Sequence, residues 1–189
     1  MKKMTKFVGM MAVAFALTQT LQASLITGNI GFTGGVTFDT SSAGTATEVT
    51  SWINPIVTLD SGAFSTVASG SSVIFAKPWT FSSGVVSNFW SVGGFTFELL
   101  SSSIPPGSQS GNYPNGTVTV TGTGYVSGNG YTPTLMSWSF TAQDPAAQAQ
   151  PEAWTFSASG ASLPDGGSTV MLLGIALSGA ALLRRKLMS

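Results

Sequence analysis

Cysteine and histidine are both absent from the 189 residues. The first absence excludes disulfides and thiolate metal sites, and the second excludes imidazole ligands and every hydrolase triad that needs an imidazole base. Charge is scarce as well, at 7% of the sequence. Its seven cations balance seven acids, but six of the cations sit at the ends: Lys2, Lys3, Lys6, Arg184, Arg185 and Lys186. Between Ser24 and Ser162 only Lys77 remains, against Asp39, Glu48, Asp60, Glu98, Asp144 and Glu152. A body this poor in cations lacks the electrostatic surface that nucleic-acid binding requires.

Both termini read as targeting segments. Met1–Ala23 opens with three lysines, continues through an apolar stretch from Phe7 to Leu17 and turns polar at Thr18, Gln19 and Thr20. That order is a secretory signal peptide, with cleavage expected between Ala23 and Ser24. At the other end, Leu163, Pro164, Asp165, Gly166, Gly167 and Ser168 precede an apolar run from Thr169 to Leu183 that stops at Arg184, Arg185 and Lys186. As a helix the run would reach roughly 22 Å, somewhat less than a bilayer core of about 30 Å. Snorkelling cations make up the difference, so a single transmembrane helix is expected, with the basic end cytoplasmic and the body outside. The expected organisation is a signal peptide over 1–23, a body over 24–162 and a C-terminal signal over 163–189. A body of roughly 140 residues fits one domain and can bury about two thirds of its unfolded surface.

Within the body helical periodicity is nearly absent. Short runs rich in Val, Ile, Thr, Phe and Trp alternate with Gly, Ser, Asn and Pro, the pattern of antiparallel strands. Ile30, Phe32, Val36 and Phe38 flank Gly34 and Gly35 as one strand or a hairpin. Trp52–Leu59 is interrupted by Asn54 and Pro55, which predicts two strands or an edge. Ala63–Ala68 and Ser72–Lys77 read as a hairpin around Ser69, Gly70 and Ser71, and Asn88–Leu100 as one strand with Phe95, Phe97 and Leu99 on one face. The clearest hairpin joins Thr117–Val126 to Tyr131–Thr141 through Gly128, Asn129 and Gly130, and a final strand spans Ala153–Ala158. Eight to ten strands at this spacing predict an all-β fold, an antiparallel, jelly-roll-like β-sandwich.

Chemistry is thinly represented. Glu98 and Glu152 are the carboxylates to test for glycoside hydrolysis, which needs two acids flanking one bond. No Gly-x-Ser-x-Gly elbow and no calcium loop of the Asp-x-Asp-x-Asp-Gly type is present. The expectation is therefore a protein with no catalytic residues, no metal and no cofactor. Most aromatics should fill the core; Trp79 and Trp90, beside Pro78 and Asn88, are expected to be exposed and are the candidate ligand contacts. Asn115-Gly116-Thr117 matches a glycosylation acceptor but reads first as a turn.

The three elements of the tail, in their order, resemble the C-terminal sorting signals of the PEP-CTERM class, nearest to the VPDSG-CTERM variant, with Leu163 in place of Val and Gly166 in place of Ser. The resemblance implies that an exosortase, a membrane transpeptidase-like enzyme of Gram-negative bacteria associated with extracellular polysaccharide, reads Pro164, Asp165 and Gly166. The protein would then be that enzyme's substrate, held in the inner membrane as an intermediate before reaching the cell surface or the extracellular matrix. A structural or adhesive role beside polysaccharide follows as an expectation, with a carbohydrate-binding module or a carboxylate-dependent carbohydrate-active enzyme as the alternatives.

Overall fold

The computed structural model describes residues 23–145 and 154–162, together with Leu173 and Leu177. The expected signal helix, the sorting motif 163–168 and the basic stop 184–186 lie outside the described residues, as does nearly all of the expected transmembrane run. Among the described residues no helix is long and apolar enough to cross a membrane.

Among the described residues ten strands follow in chain order: β1 (Asn29–Phe38), β2 (Glu48–Asp60), β3 (Ile74–Phe75), β4 (Trp79–Thr80), β5 (Val86–Val92), β6 (Phe95–Ser103), β7 (Gln109–Ser110), β8 (Thr117–Gly128), β9 (Tyr131–Gln143) and β10 (Trp154–Ser162). All named ladders are antiparallel. They form one sheet in the order β3-β5-β6-β8-β9-β10-β1-β2-β4, with β7 attached to β8. The all-β, antiparallel expectation holds, but the strands make one curled sheet instead of the two separate sheets of a sandwich.

The reason lies in the segment from Ser71 to Ser83. Its first part bonds β2, with the Val57 amide donating to Ser71 O and the Val73 amide to Pro55 O, and then becomes β3 beside β5. Its second part pairs β2 through β4, donates from the Phe81 amide to Thr47 O and accepts from the Ser102 amide at Ser83 O. One segment thereby joins the two ends of the strand order. The sheet curls until its walls face each other across a shared core.

Turn chemistry sets the registers. Asn129 and Gly130 close β8 onto β9 with φ of 49° and 78°, the left-handed pair that a two-residue hairpin requires. Gly93 and Gly94 do the same between β5 and β6 with φ of 57° and 83°. The stretch Asn88–Leu100, expected as one strand, is therefore two. Conversely, Gly34 and Gly35 stay inside a single β1, and β2 passes through Asn54 and Pro55 unbroken. Asn54 takes φ of 46°, and the pairing with β1 slips between Thr33 and Gly35, so the interruption is absorbed as a bulge. The first part of the expected strand Ala63–Ala68 lies instead in a short 3₁₀ helix, Gly62–Thr66, that buries Phe64.

The alternation along β6, β8 and β9 sorts side chains cleanly. Phe95, Phe97, Leu99, Val118, Val120, Val126, Met136, Trp138 and Phe140 are buried, while their sequence neighbours point outward. Aromatic rings dominate the interior, and Trp138 lies 5.2 Å from Phe89 and about 6 Å from Phe32 and Phe75. An apolar inside with a hydroxyl-rich outside is the reverse of a membrane-spanning barrel, whose apolar side faces lipid.

Candidate functional site

Three regions were expected to carry function: the two processing sites at the termini and an aromatic ligand contact. The aromatic expectation is corrected. Trp79 and Trp90 are 1% and 0% exposed, so neither presents a ring to solvent. Trp79 packs on Phe89 and Phe140 at 4.9 and 5.3 Å, and Trp90 stacks on Phe97 at 5.4 Å. Pro78 and Asn88 do mark irregular backbone, but the closing segment carries Trp79 inward and β5 turns Trp90 to the core. Glu98 lies exposed on β6 opposite Tyr125 of β8, and Glu152 lies outside the described residues. Among the described residues no group of three or more acids could hold a metal ion.

The outer wall presents instead an array of hydroxyls. Ser103, Thr121, Ser139 and Ser159 are successive partners across β6, β8, β9 and β10. Ser101, Thr123 and Ser137 form a second row, and Thr119 and Thr141 are 3.4 Å apart, oxygen to oxygen, in a third. Where β6 slips register between Leu99 and Ser101, a depression of about 440 Å³ opens, lined by Ser101, Ser102, Ser103, Thr121, Gly122 and Thr123. Tyr125, 45% exposed, stands two residues beyond it on β8.

A buried polar cluster that sequence reading did not find lies at the far end of β9. Asp144, 7% exposed, accepts the Ser42 hydroxyl at 2.7 Å, the Ala43 amide at 2.6 Å and the Gly116 amide at 2.8 Å. The Gln109 side-chain amide adds bonds to the carbonyls of Ala43 and Ala46. Loop 39–47, the entry to β8 and the exit of β9 are thus tied through one carboxylate. A spacing of about a hundred residues between Asp144 and Ser42 leaves no local signal for it.

Asp39 organises the other side of the same loop. Burial pushes its carboxyl up, but bonds from the hydroxyl and amide of Thr47, the amide of Glu48 and its own amide outweigh that and hold it below the ordinary aspartate range. A depressed pKa in the folded state stabilises above the unfolded value, about 3.9, and that contribution is lost as pH falls through the folded value. The melting-temperature difference between wild type and Asp39→Asn should therefore be constant above about pH 5 and shrink below about pH 4. Thermal melts of both proteins across pH 2.5–7 check this; a gap unchanged down to the lowest pH would contradict it.

The described residues that border the two expected processing sites both lie along β9. Ala23 and Ser24, on either side of the expected signal cleavage, are exposed and lie against the start of β9: the Thr132 hydroxyl donates to Ala23 O and the Thr132 amide to Ser24 O. The last strand, β10, is described as far as Ser162, the residue before the expected sorting motif. Ser162 is partnered by Met136 of the same β9. Ala23–Ser24 and Ser162 therefore lie against neighbouring positions of β9.

The body is all-β, and the C-terminal tail of the sequence follows its last described strand. That tail is identified: residues 164–187 match the VPDSG-CTERM motif, a PEP-CTERM-type sorting signal. Such a tail implies export, membrane-associated processing by an exosortase-type enzyme and arrival at the surface. The match covers the tail alone. No curated protein and no solved structure matches the chain.

Proposed function

We propose that this is a non-enzymatic cell-surface or extracellular-matrix protein, structural or adhesive in association with extracellular polysaccharide. It is exported by a signal peptide cleaved between Ala23 and Ser24. The helix expected over Thr169–Leu183, stopped by Arg184, Arg185 and Lys186, holds it in the inner membrane until an exosortase-type enzyme acts at Leu163–Ser168. The tail match carries this reading. The outer wall supports the polysaccharide association, because rows of serine and threonine hydroxyls both donate and accept hydrogen bonds, as sugar hydroxyls do.

Mass spectrometry of the mature protein from its host tests the reading. The expected product starts at Ser24 and lacks Arg184–Ser189. An intact C-terminus on a membrane-bound mature form would overturn the processing step. A glycan array probed with the released body tests the association, and absence of binding to every polysaccharide would remove the adhesive role.

A further inference from the structure

The turn ahead of β8 carries a reactive pair of residues, Asn115 and Gly116. An asparagine before glycine is open to attack by the next backbone nitrogen, because no β-carbon shields the approach. In that step the Gly116 nitrogen loses its proton and bonds to Asn115 Cγ, ammonia leaves, and a cyclic succinimide forms. Water then opens the ring at either carbonyl. One product is aspartate, and the other is isoaspartate, in which the main chain runs through the former side chain. The sequence holds a second such pair, Asn129 and Gly130, in the turn between β8 and β9.

The first pair is clamped on its glycine. Asn115 is exposed, but the Gly116 nitrogen that must attack it is buried. The Gly116 amide donates to Asp144 Oδ2 at 2.8 Å, and the Asp144 amide donates back to Gly116 O at 2.8 Å. Asp144 is itself held by the Ser42 hydroxyl and the Ala43 amide. The seat is tight as well: a β-carbon at Gly116 would strike Ser42 Oγ, the Gly44 nitrogen and Asp144 Oδ2.

From this arrangement we infer that Asn115 is a latent self-modification site, kept unreacted in the folded chain by Asp144 acting as a positioning residue. Two features oppose the reaction. Removing the Gly116 proton would put a second negative charge 2.8 Å from the Asp144 carboxylate in a buried setting, where like charges repel strongly. The imide nitrogen of the succinimide carries no proton, so by whatever path the ring closes the bond to Asp144 is lost, and the carboxylate faces a group with nothing to donate. Reaction therefore waits on local opening of the tie between Gly116 and Asp144. Conversion to isoaspartate makes that opening one-way. The main chain is then one carbon longer ahead of Gly116, and the paired bonds to Asp144 no longer fit one seat.

The test incubates the full chain at neutral pH and follows deamidation at both Asn-Gly pairs by peptide mass spectrometry. In folded wild type, Asn115 should react at least roughly tenfold more slowly than in the same chain unfolded in urea, the factor set by breaking two hydrogen bonds, one of them to a charged group. Asp144→Ala should raise the Asn115 rate by roughly tenfold or more, and Asp144→Asn should fall between, because its amide oxygen still accepts. Asn129 is the internal control. Its Nδ2 donates to Gly93 O, and it lies before the start of β9 whereas Asp144 follows the end, so its rate should track global stability alone. Trp138→Ala removes a buried ring without touching Asp144 and should change the two rates together, which separates general destabilisation from loss of the tie. Should Asp144→Ala fail to fold, Asp144→Asn and the comparison of folded with urea-unfolded wild type carry the same expectation. Equal Asn115 rates in folded and unfolded wild type overturn the inference. So does an Asn115 rate in Asp144→Ala no higher than in wild type; a slower one would make Asp144 the base that drives the reaction.

Discussion

Replacing Trp138 by alanine is expected to destabilise the body by about 3–5 kcal/mol, the range for deleting a fully buried large aromatic. Trp138 is 1% exposed and touches rings from most of the curled sheet: Phe32 of β1, Phe75 of β3, Phe89 of β5 and Phe97 of β6. The walls meet around this side chain, so the cavity left by its removal is surrounded by elements already fixed by their own ladders and cannot collapse easily. A domain of this size loses roughly 3 °C per kcal/mol, which makes the expected fall about 10–15 °C in a thermal melt. Trp138→Phe should cost clearly less. Its indole N–H meets no acceptor among the described residues, so the phenylalanine gives up ring volume without breaking a hydrogen bond. Tyr125→Ala, on the outer wall, is the control and should shift the melt by less than about 0.5 kcal/mol equivalent. A small effect of Trp138→Ala would mean that the two walls are not held together through this ring.

What could be read from the sequence was whatever local chemistry decides. The β8–β9 hairpin was legible residue by residue, because Asn129-Gly130 supplies the turn and Met136, Trp138 and Phe140 fall on one face by strict alternation. The same alternation in Phe95, Phe97 and Leu99 was sufficient to place β6. Gly93-Gly94 carried a turn signal of equal quality, but flanking runs of Phe, Trp and Val masked it as continuous strand. The 3₁₀ helix at Gly62–Thr66 went unread because five residues are too few to show a period. Burial of Trp79 and Trp90 was not legible, since it depends on where Ser71–Ser83 travels to close the sheet, and no local pattern encodes that route. For the same reason one curled sheet could not be told from two packed ones: the inward-outward alternation of strands is identical in both. The tail was legible because its pattern is local in sequence, a breaker, an apolar run and a basic stop in fixed order.

The second large effect is expected at Asp144, where alanine should cost about 3–5 kcal/mol. The estimate follows from the donors left behind. The Ala43 and Gly116 amides and the Ser42 hydroxyl all end on this carboxylate, in a region where Ser42 and Asp144 are 3% and 7% exposed. Each donor left without an acceptor costs about 1–3 kcal/mol, and partial hydration after local opening offsets some of the total. Asp144→Asn should recover part of the loss, because its amide oxygen can still accept while its NH₂ faces donors. Where the damage appears is as informative as its size. Asp144 follows the last residue of β9, whereas Ser24, Leu25 and Ile26 meet Thr132 and Thr134 near its start. Loop 39–47 and Gly116 should therefore open first in Asp144→Ala, with faster amide exchange at Ala43, Thr45 and Gly116. Exchange at Ile26 should rise only as far as global stability falls. An unchanged melt in Asp144→Ala, or exchange at Ile26 rising as much as at Ala43, would mean that this carboxylate does not tie loop 39–47 to the end of β9.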